Sequence, residues 1–176
     1  DAPRSTLLSD LIKFFEQRIE SLFQLSNYPS DTIASIINFV KNKPLYTIKE
    51  RLDAIQRFKQ DADYESNLLA IKRVNNIAPK DSYELRVVSY ELFEQLEEKK
   101  LYKAVEALIP QINSLLDSDK YYEAIKVLMS LKELINRFFD KVLVMDKREE
   151  IKQNRLSLIK HIQMLSEQIA DFSKLS

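Results

Sequence analysis

Apolar residues recur at spacings of three and four along nearly the whole chain, the pattern of amphipathic helices. The pattern predicts helices at about 5–26, 31–42, 47–62, 64–78, 90–117, 120–145 and 148–171. Three stops are legible in Asn27-Tyr28-Pro29, Asn42-Lys43-Pro44 and Asn76-Ile77-Ala78-Pro79. Asn tolerates the left-handed terminal conformation, and Pro cannot continue a helix. Ser30 and Asp119 are expected as N-caps, because a short side-chain oxygen accepts from a free backbone N–H. In the fifth helix, Leu101, Val105, Leu108, Ile112 and Leu115 form one stripe, with Pro110 off it and expected to kink the helix. The sixth carries two neighbouring stripes, one with Tyr121, Ile125, Leu128, Ile135, Phe139 and Val142, the other with Ala124, Val127, Leu131, Leu134 and Phe138. So wide an apolar surface places it in the middle of a bundle. The seventh has a narrow seam of Ile151, Leu158, Ile162, Leu165, Ile169 and Phe172. Val142-Leu143-Val144-Met145 would suit a strand in isolation, but it continues the helical period. The stretch 79–89 is the expected loop and a possible subdomain boundary.

Composition supports an all-α chain. Glycine is absent from the 176 residues, against average usage of ~7%. This excludes glycine-rich phosphate loops and disfavours tight hairpins. A chain of this length buries roughly 70% of its unfolded surface and needs no metal or disulfide for a core. There is no cysteine and one histidine, His161, so thiolate and His-rich metal sites are excluded. His161 lies on a helical pattern with no nucleophile motif beside it, and no hydrolytic constellation stands out. Paired acids such as Asp61/Asp63 and Glu97/Glu98 look like solvated helix ends. No apolar run reaches the ~18 residues of a membrane span. The opening Asp1-Ala2-Pro3-Arg4 does not resemble a signal peptide. The expectation is a soluble, cytoplasmic chain, and a start without methionine suggests a fragment or a processed product.

Charge is balanced, with 27 basic and 27 acidic residues. Residues 1–88 carry 13 basic and 12 acidic side chains, and 89–176 carry 14 and 15. Nucleic-acid binding would therefore need a local patch. From Arg137 to Lys160 there are seven basic and four acidic residues, and from Lys41 to Lys59 six and two. Arg148, Lys152 and Arg155 follow spacings of four and three and predict a basic stripe. Such runs are commonly solvated helix faces, though a few cations suffice to position an RNA backbone. Lys72-Arg73-Val74-Asn75-Asn76-Ile77 places cations and amides at a helix C-terminus, where they either answer the helix dipole or read an RNA loop. Phe138-Phe139 is expected as packing, while Tyr83 and Tyr90 are the candidates for exposed base stacking. Arg155 faces the apolar seam with Asn154 beside it. It is expected either to tie helices by pairing with Asp140 or Asp171, or to contact RNA.

The order of residues near the end carries further information. Phe138-Phe139-Asp140-Lys141-Val142-Leu143-Val144-Met145-Asp146, then Asn154-Arg155-Leu156, then Ala170-Asp171-Phe172-Ser173 resembles the C-terminus of bacterial glycyl-tRNA synthetase β subunits. The resemblance extends to Phe14-Phe15-Glu16-Gln17-Arg18-Ile19, Asp31-Thr32-Ile33 and Ala70-Ile71-Lys72-Arg73-Val74-Asn75-Asn76-Ile77. It continues through Leu92-Phe93, Leu101-Tyr102 and Tyr121-Tyr122-Glu123-Ala124. Lys147-Arg148 and Ile151-Lys152 depart from the family's usual residues.

The resemblance implies a helical bundle of about six to seven helices, of the anticodon-binding type similar to that of arginyl-tRNA synthetase. It implies a linking helix at 1–30 from a preceding region and an anticodon-binding domain at 31–176. Such a module would have no catalytic residues and no cofactor of its own. ATP and magnesium would act at a separate α subunit, reached through the rest of the β subunit, in an ATP-dependent glycine–tRNA ligase. The implied partner is the anticodon loop of glycine tRNA, with no membrane involved. Its expected contacts are Lys72, Arg73, Asn76, Asp140, Arg148, Lys152, Asn154 and Arg155. Glycine codons begin with two guanines, so the loop offers two adjacent cytosines, which splayed single-stranded recognition reads at their edges. Asp140 with Asn154, Arg155 or Arg73 has suitable donors and acceptors. The alternative expectation is a helical protein-interaction or scaffold domain without RNA binding.

Overall fold

A computed structural model describes the backbone of residues 2–79 and 88–176, with side chains from Ser9 onward. Eight α-helices stand among these residues: α1 (Ala2–Leu25), α2 (Ser30–Ile36), α3 (Leu45–Lys59), α4 (Tyr64–Ile77), α5 (Leu96–Asp117), α6 (Tyr121–Met129), α7 (Lys132–Lys141) and α8 (Glu149–Glu167). Short 3-10 turns follow α2, precede α5 and follow α8. No strand occurs among the described residues, and the all-α bundle is as the periodicity predicts. Most of the expected loop 79–89, with Tyr83, lies outside the described residues.

The departures have local causes. The expected helix 31–42 tightens into a 3-10 turn from Ile37. The expected helix 90–117 begins in earnest only at Leu96, after a separate turn at Tyr90–Leu92. The expected helix 120–145 is two helices and an extension. Ser130 ends α6, its hydroxyl donating to the Val127 carbonyl at 2.6 Å, a local bond that competes with the helical ladder. Each of its two stripes is thus divided between two helices. Chain 142–146 is not helical. Ser30 is the first residue of α2 behind Pro29, and Lys120 occupies the cap position of α6. Asp119 has φ 56° and Asn27 φ 64°, so both end the preceding helix in the left-handed region. Pro110 lies within α5, which continues through it on its exposed side.

One core runs on both sides of 79–89, with α3 packed on α6, and α4 on α7 and α8. The enclosed helix is α8 rather than the sixth segment. Its residues 154–159 are buried in unbroken succession, which one-sided packing does not allow. The expected seam from Ile151 to Phe172 is buried throughout.

Polar ties close the bundle. Asp31 accepts from Lys59 Nζ at 2.6 Å and from Ser176 N and Oγ at 3.0 and 2.7 Å. Burial pushes the carboxyl upward, but the Lys59 and Ser176 donors outweigh it and hold the carboxyl well below its ordinary range. A depressed folded-state pKa contributes stability that is present above the unfolded value of ~3.9 and is lost as pH falls through the folded one. Urea unfolding of Asp31→Asn should therefore show its largest deficit against the parent above about pH 5, shrinking toward pH 2. A deficit independent of pH would contradict this assignment.

Candidate nucleic-acid interface

The conspicuous polar residues of the C-terminal block are drawn inward. Arg155 is 1% exposed. Its Nε donates to Glu98 Oε1 at 2.6 Å, and its Nη1 donates to the Leu143 carbonyl and to Asp146 Oδ2, both at 3.0 Å. Glu98, fully buried, fills its second oxygen with the backbone N–H groups of Gln95 (2.7 Å) and Glu94 (3.0 Å). The expected pairing of Arg155 with Asp140 or Asp171 is thus corrected. Asp140 is exposed on α7, and Asp171 accepts from Ser173 at the following turn. Glu98 is no solvated helix end. A buried guanidinium needs a desolvated carboxylate at bonding distance, and the packing of α5 on α8 brings Glu98 there.

Asn154 is also buried. Its amide accepts from Ser89 N at 2.8 Å and donates to Ser89 O at 2.9 Å, clamping the chain that enters α5. The expected stripe of Arg148, Lys152 and Arg155 does not exist as a surface. Arg148 precedes α8 and pairs with Glu94 and Asp146, Lys152 pairs with Glu149, and Arg155 is internal. Arg148, through its side chain and its backbone N–H, holds the Asp146 carboxyl well below the ordinary range. Lys72 donates to the Leu175 carbonyl at 2.6 Å. Tyr90 is half-buried against Phe93 and Tyr102, with Lys99 and Lys103 beyond its ring.

Of the expected residues, Arg73, Asn76 and Asp140 are accessible where α4 and α7 end. Arg73 on α4 meets Asp140 on α7 at 3.3 Å, and its guanidinium lies 4.7 Å from the Phe139 ring centroid. These two side chains are 40% and 62% exposed. A pair so open to water is worth at most about 1 kcal/mol, so a ligand can take over either partner cheaply. Leu69 and Ile77 share the exposed stripe with Arg73, one turn on either side, and Asn76 is exposed beside them. Arg137 and Lys141 lie within one turn of Asp140 on α7, and Lys147 follows six residues beyond Lys141; all three are exposed and in no ion pair among the described residues. The other basic run is largely spent. Lys41 pairs with Glu16, Lys49 with Asp53 and Lys59 with Asp31, while Arg51 is buried and Arg57 stacks 3.8 Å from the Tyr122 ring.

Sequence reasoning missed Arg137, Lys141 and Lys147 as distinct from their paired neighbours. The signal was the lack of an oppositely charged residue free to meet them, which only the fold reveals. Among the described residues, no group of three or more His, Cys, Asp or Glu side chains could hold a metal ion, and no helix is long and apolar enough to cross a membrane.

The buried charges are matched within the bundle, while Arg137, Lys141 and Lys147 are exposed and outside every ion pair among the described residues, as are Lys43, Lys100, Lys120 and Lys174 elsewhere on the surface. The family model of the DALR anticodon binding domain matches residues 68–170, more than half of the chain, and the chain belongs to this family. It is 41% identical over 162 residues to the glycine–tRNA ligase beta subunit of Thermodesulfovibrio yellowstonii, covering 92% of this chain and 24% of that protein. It is 34% identical over 165 residues to that of a Sulfurihydrogenibium species, covering 94% and 24%. Against that of Citrifermentans bemidjiense it is 32% identical over 174 residues, covering 99% and 25%. The chain spans about a quarter of the length of the curated relatives it matches.

Proposed function

We propose that this chain is the tRNA anticodon-binding module of a glycine–tRNA ligase β subunit, recognising glycine tRNA for aminoacylation at a separate α subunit. The observation that carries the reading is the open Arg73–Asp140 pair, with the unpaired cations Arg137 and Lys141 within one turn of Asp140 on α7 and Lys147 six residues further on. Arg137, Lys141 and Lys147 supply phosphate contacts, which position RNA without reading it. Asp140 accepts from the exocyclic amine of a cytosine, and Arg73 donates to the ring acceptors of the same or the neighbouring base. The Phe139 ring under Arg73 keeps the guanidinium at the rim when its carboxylate partner turns to the base. Of the residues expected from sequence, Arg73, Asn76 and Asp140 serve at this face. Asn154 and Arg155 act from inside, and Lys72, Arg148 and Lys152 are committed to the protein's own carbonyls and carboxylates.

Residues 1–30 serve as a linking helix to the rest of the subunit, through which the α subunit is reached. The exposed Phe14, Phe15, Leu22 and Leu25 of α1 support this reading, as does an open groove of about 620 Å³ beside α3, lined by Leu22, Phe23, Leu45 and Tyr46. Titrating the chain with a glycine anticodon stem-loop tests the function. Engagement of three cations should make log K fall against log salt with a slope of about −2. Arg73→Gln should weaken binding roughly tenfold. Absence of binding at low salt would favour a protein-interaction domain instead.

A further inference from the structure

Residues 142–146 leave the helical path, beginning at Val142 with φ −105° and ψ 121°. Val142 and Val144 are 5% and 8% exposed, whereas Leu143 and Met145 are 67% and 63% exposed. Alternation of period two places one pair in the core and the other in water. The segment is held from beneath. Arg155 binds the Leu143 carbonyl, and Asp146 is gripped by Arg155, by the Arg148 backbone N–H at 2.9 Å and by the Arg148 guanidinium. Two large apolar side chains are thus presented to solvent on a strap whose backbone is already held, so binding need not order the chain beneath them.

We infer that this strap packs an unstacked base of the bound anticodon loop, Leu143 and Met145 supplying the apolar face and Lys141 and Lys147 the phosphate contacts at its two ends. The inference rests on the anticodon-binding reading above. The occupant is single-stranded RNA because of the charge around the patch. Both flanking lysines are exposed and outside every ion pair among the described residues, while the neighbouring acids Asp140, Asp146 and Glu149 are answered by Arg73, Arg148, Arg155 and Lys152, which leaves Glu150 as the nearby acid in no ion pair. An uncompensated cation on either side of an apolar face matches a ligand with a flat apolar ring on an anionic backbone. The Met145 thioether is polarizable and adapts to an aromatic ring. Asp140, one residue before Lys141, places the edge-reading pair beside the same strap.

The test is stem-loop binding by Leu143→Ser/Met145→Ser and by Lys141→Gln/Lys147→Gln, with Leu96→Ser on α5 as an exposed control. Both strap variants should keep the parent's unfolding midpoint, because all four side chains are exposed. The apolar double variant should bind about tenfold more weakly with an unchanged salt slope. The lysine double variant should flatten the slope by about 1.4. Binding by both within twofold of the parent, when the parent itself binds, would overturn the strap assignment alone. A parent that fails to bind any stem-loop at low salt would overturn the function and the strap together.

Discussion

Arg155→Leu is expected to destabilise the chain by about 3–5 kcal/mol, the cost of leaving a buried ion unpaired. Glu98 would lose its counter-charge in a fully buried position, served only by the N–H groups of Glu94 and Gln95. Asp146 and the Leu143 carbonyl would lose their inner donor as well. Much of the loss arises from Glu98, so Arg155→Leu/Glu98→Gln should be more stable than Arg155→Leu. The amide still accepts at the start of α5 while removing the stranded charge. Urea unfolding of the four proteins in this cycle measures the coupling. A single-variant loss below about 1 kcal/mol would contradict the buried tie.

The second large effect is expected at Arg51, which is 3% exposed. It donates to the Gln168 and Ile169 carbonyls at 2.9 and 2.6 Å, at the C-terminal end of α8, where free carbonyls and the helix dipole both favour a cation. Its guanidinium lies between the rings of Phe39 and Tyr121, 4.0 and 4.2 Å from their centroids. Burial pushes its pKa down, which records the desolvation that these contacts offset. Arg51→Leu should cost about 2–4 kcal/mol, from two charge-assisted hydrogen bonds and a desolvated stack, less the relief of that desolvation. Arg51→Lys should recover only part, since an ammonium cannot lie flat between two rings. The folded fraction of Arg51→Leu should bind stem-loops normally, whereas Arg155→Leu should weaken binding by loosening the strap. Equal RNA affinity of both folded variants would argue against that mechanical link.

These two arginines show where the sequence was legible and where it was not. The stripes of α5 and α8 follow from the 3.6-residue period, and their members are buried or half-buried as expected. Position on the seam also marked Arg155 as a candidate tie. Its partner could not be read, because Glu98 lies 57 residues away and resembles any acid in the first turn of a helix. The same limit applies to the basic runs. Arg51 and Lys59 look like surface cations until Ile169 and Asp31 are brought to them. The strap was hidden by its brevity. Four residues with period two cannot outweigh a helical pattern on both sides, and Arg155, twelve residues beyond Leu143, helps set the conformation. β-Branched Val142 and Val144 were the local signal.

On the proposed function, the Arg73–Asp140 face reads cytosines in a glycine anticodon loop. The most direct test compares the affinity of the chain for a glycine stem-loop with that for loops carrying uridine at either anticodon cytosine, at one fixed salt concentration. Uridine replaces the amine donor by a carbonyl acceptor, which would face the Asp140 carboxylate. Binding should be at least roughly tenfold weaker for one or both substitutions, with the difference abolished in Asp140→Asn. Equal affinity for all three loops would contradict this reading.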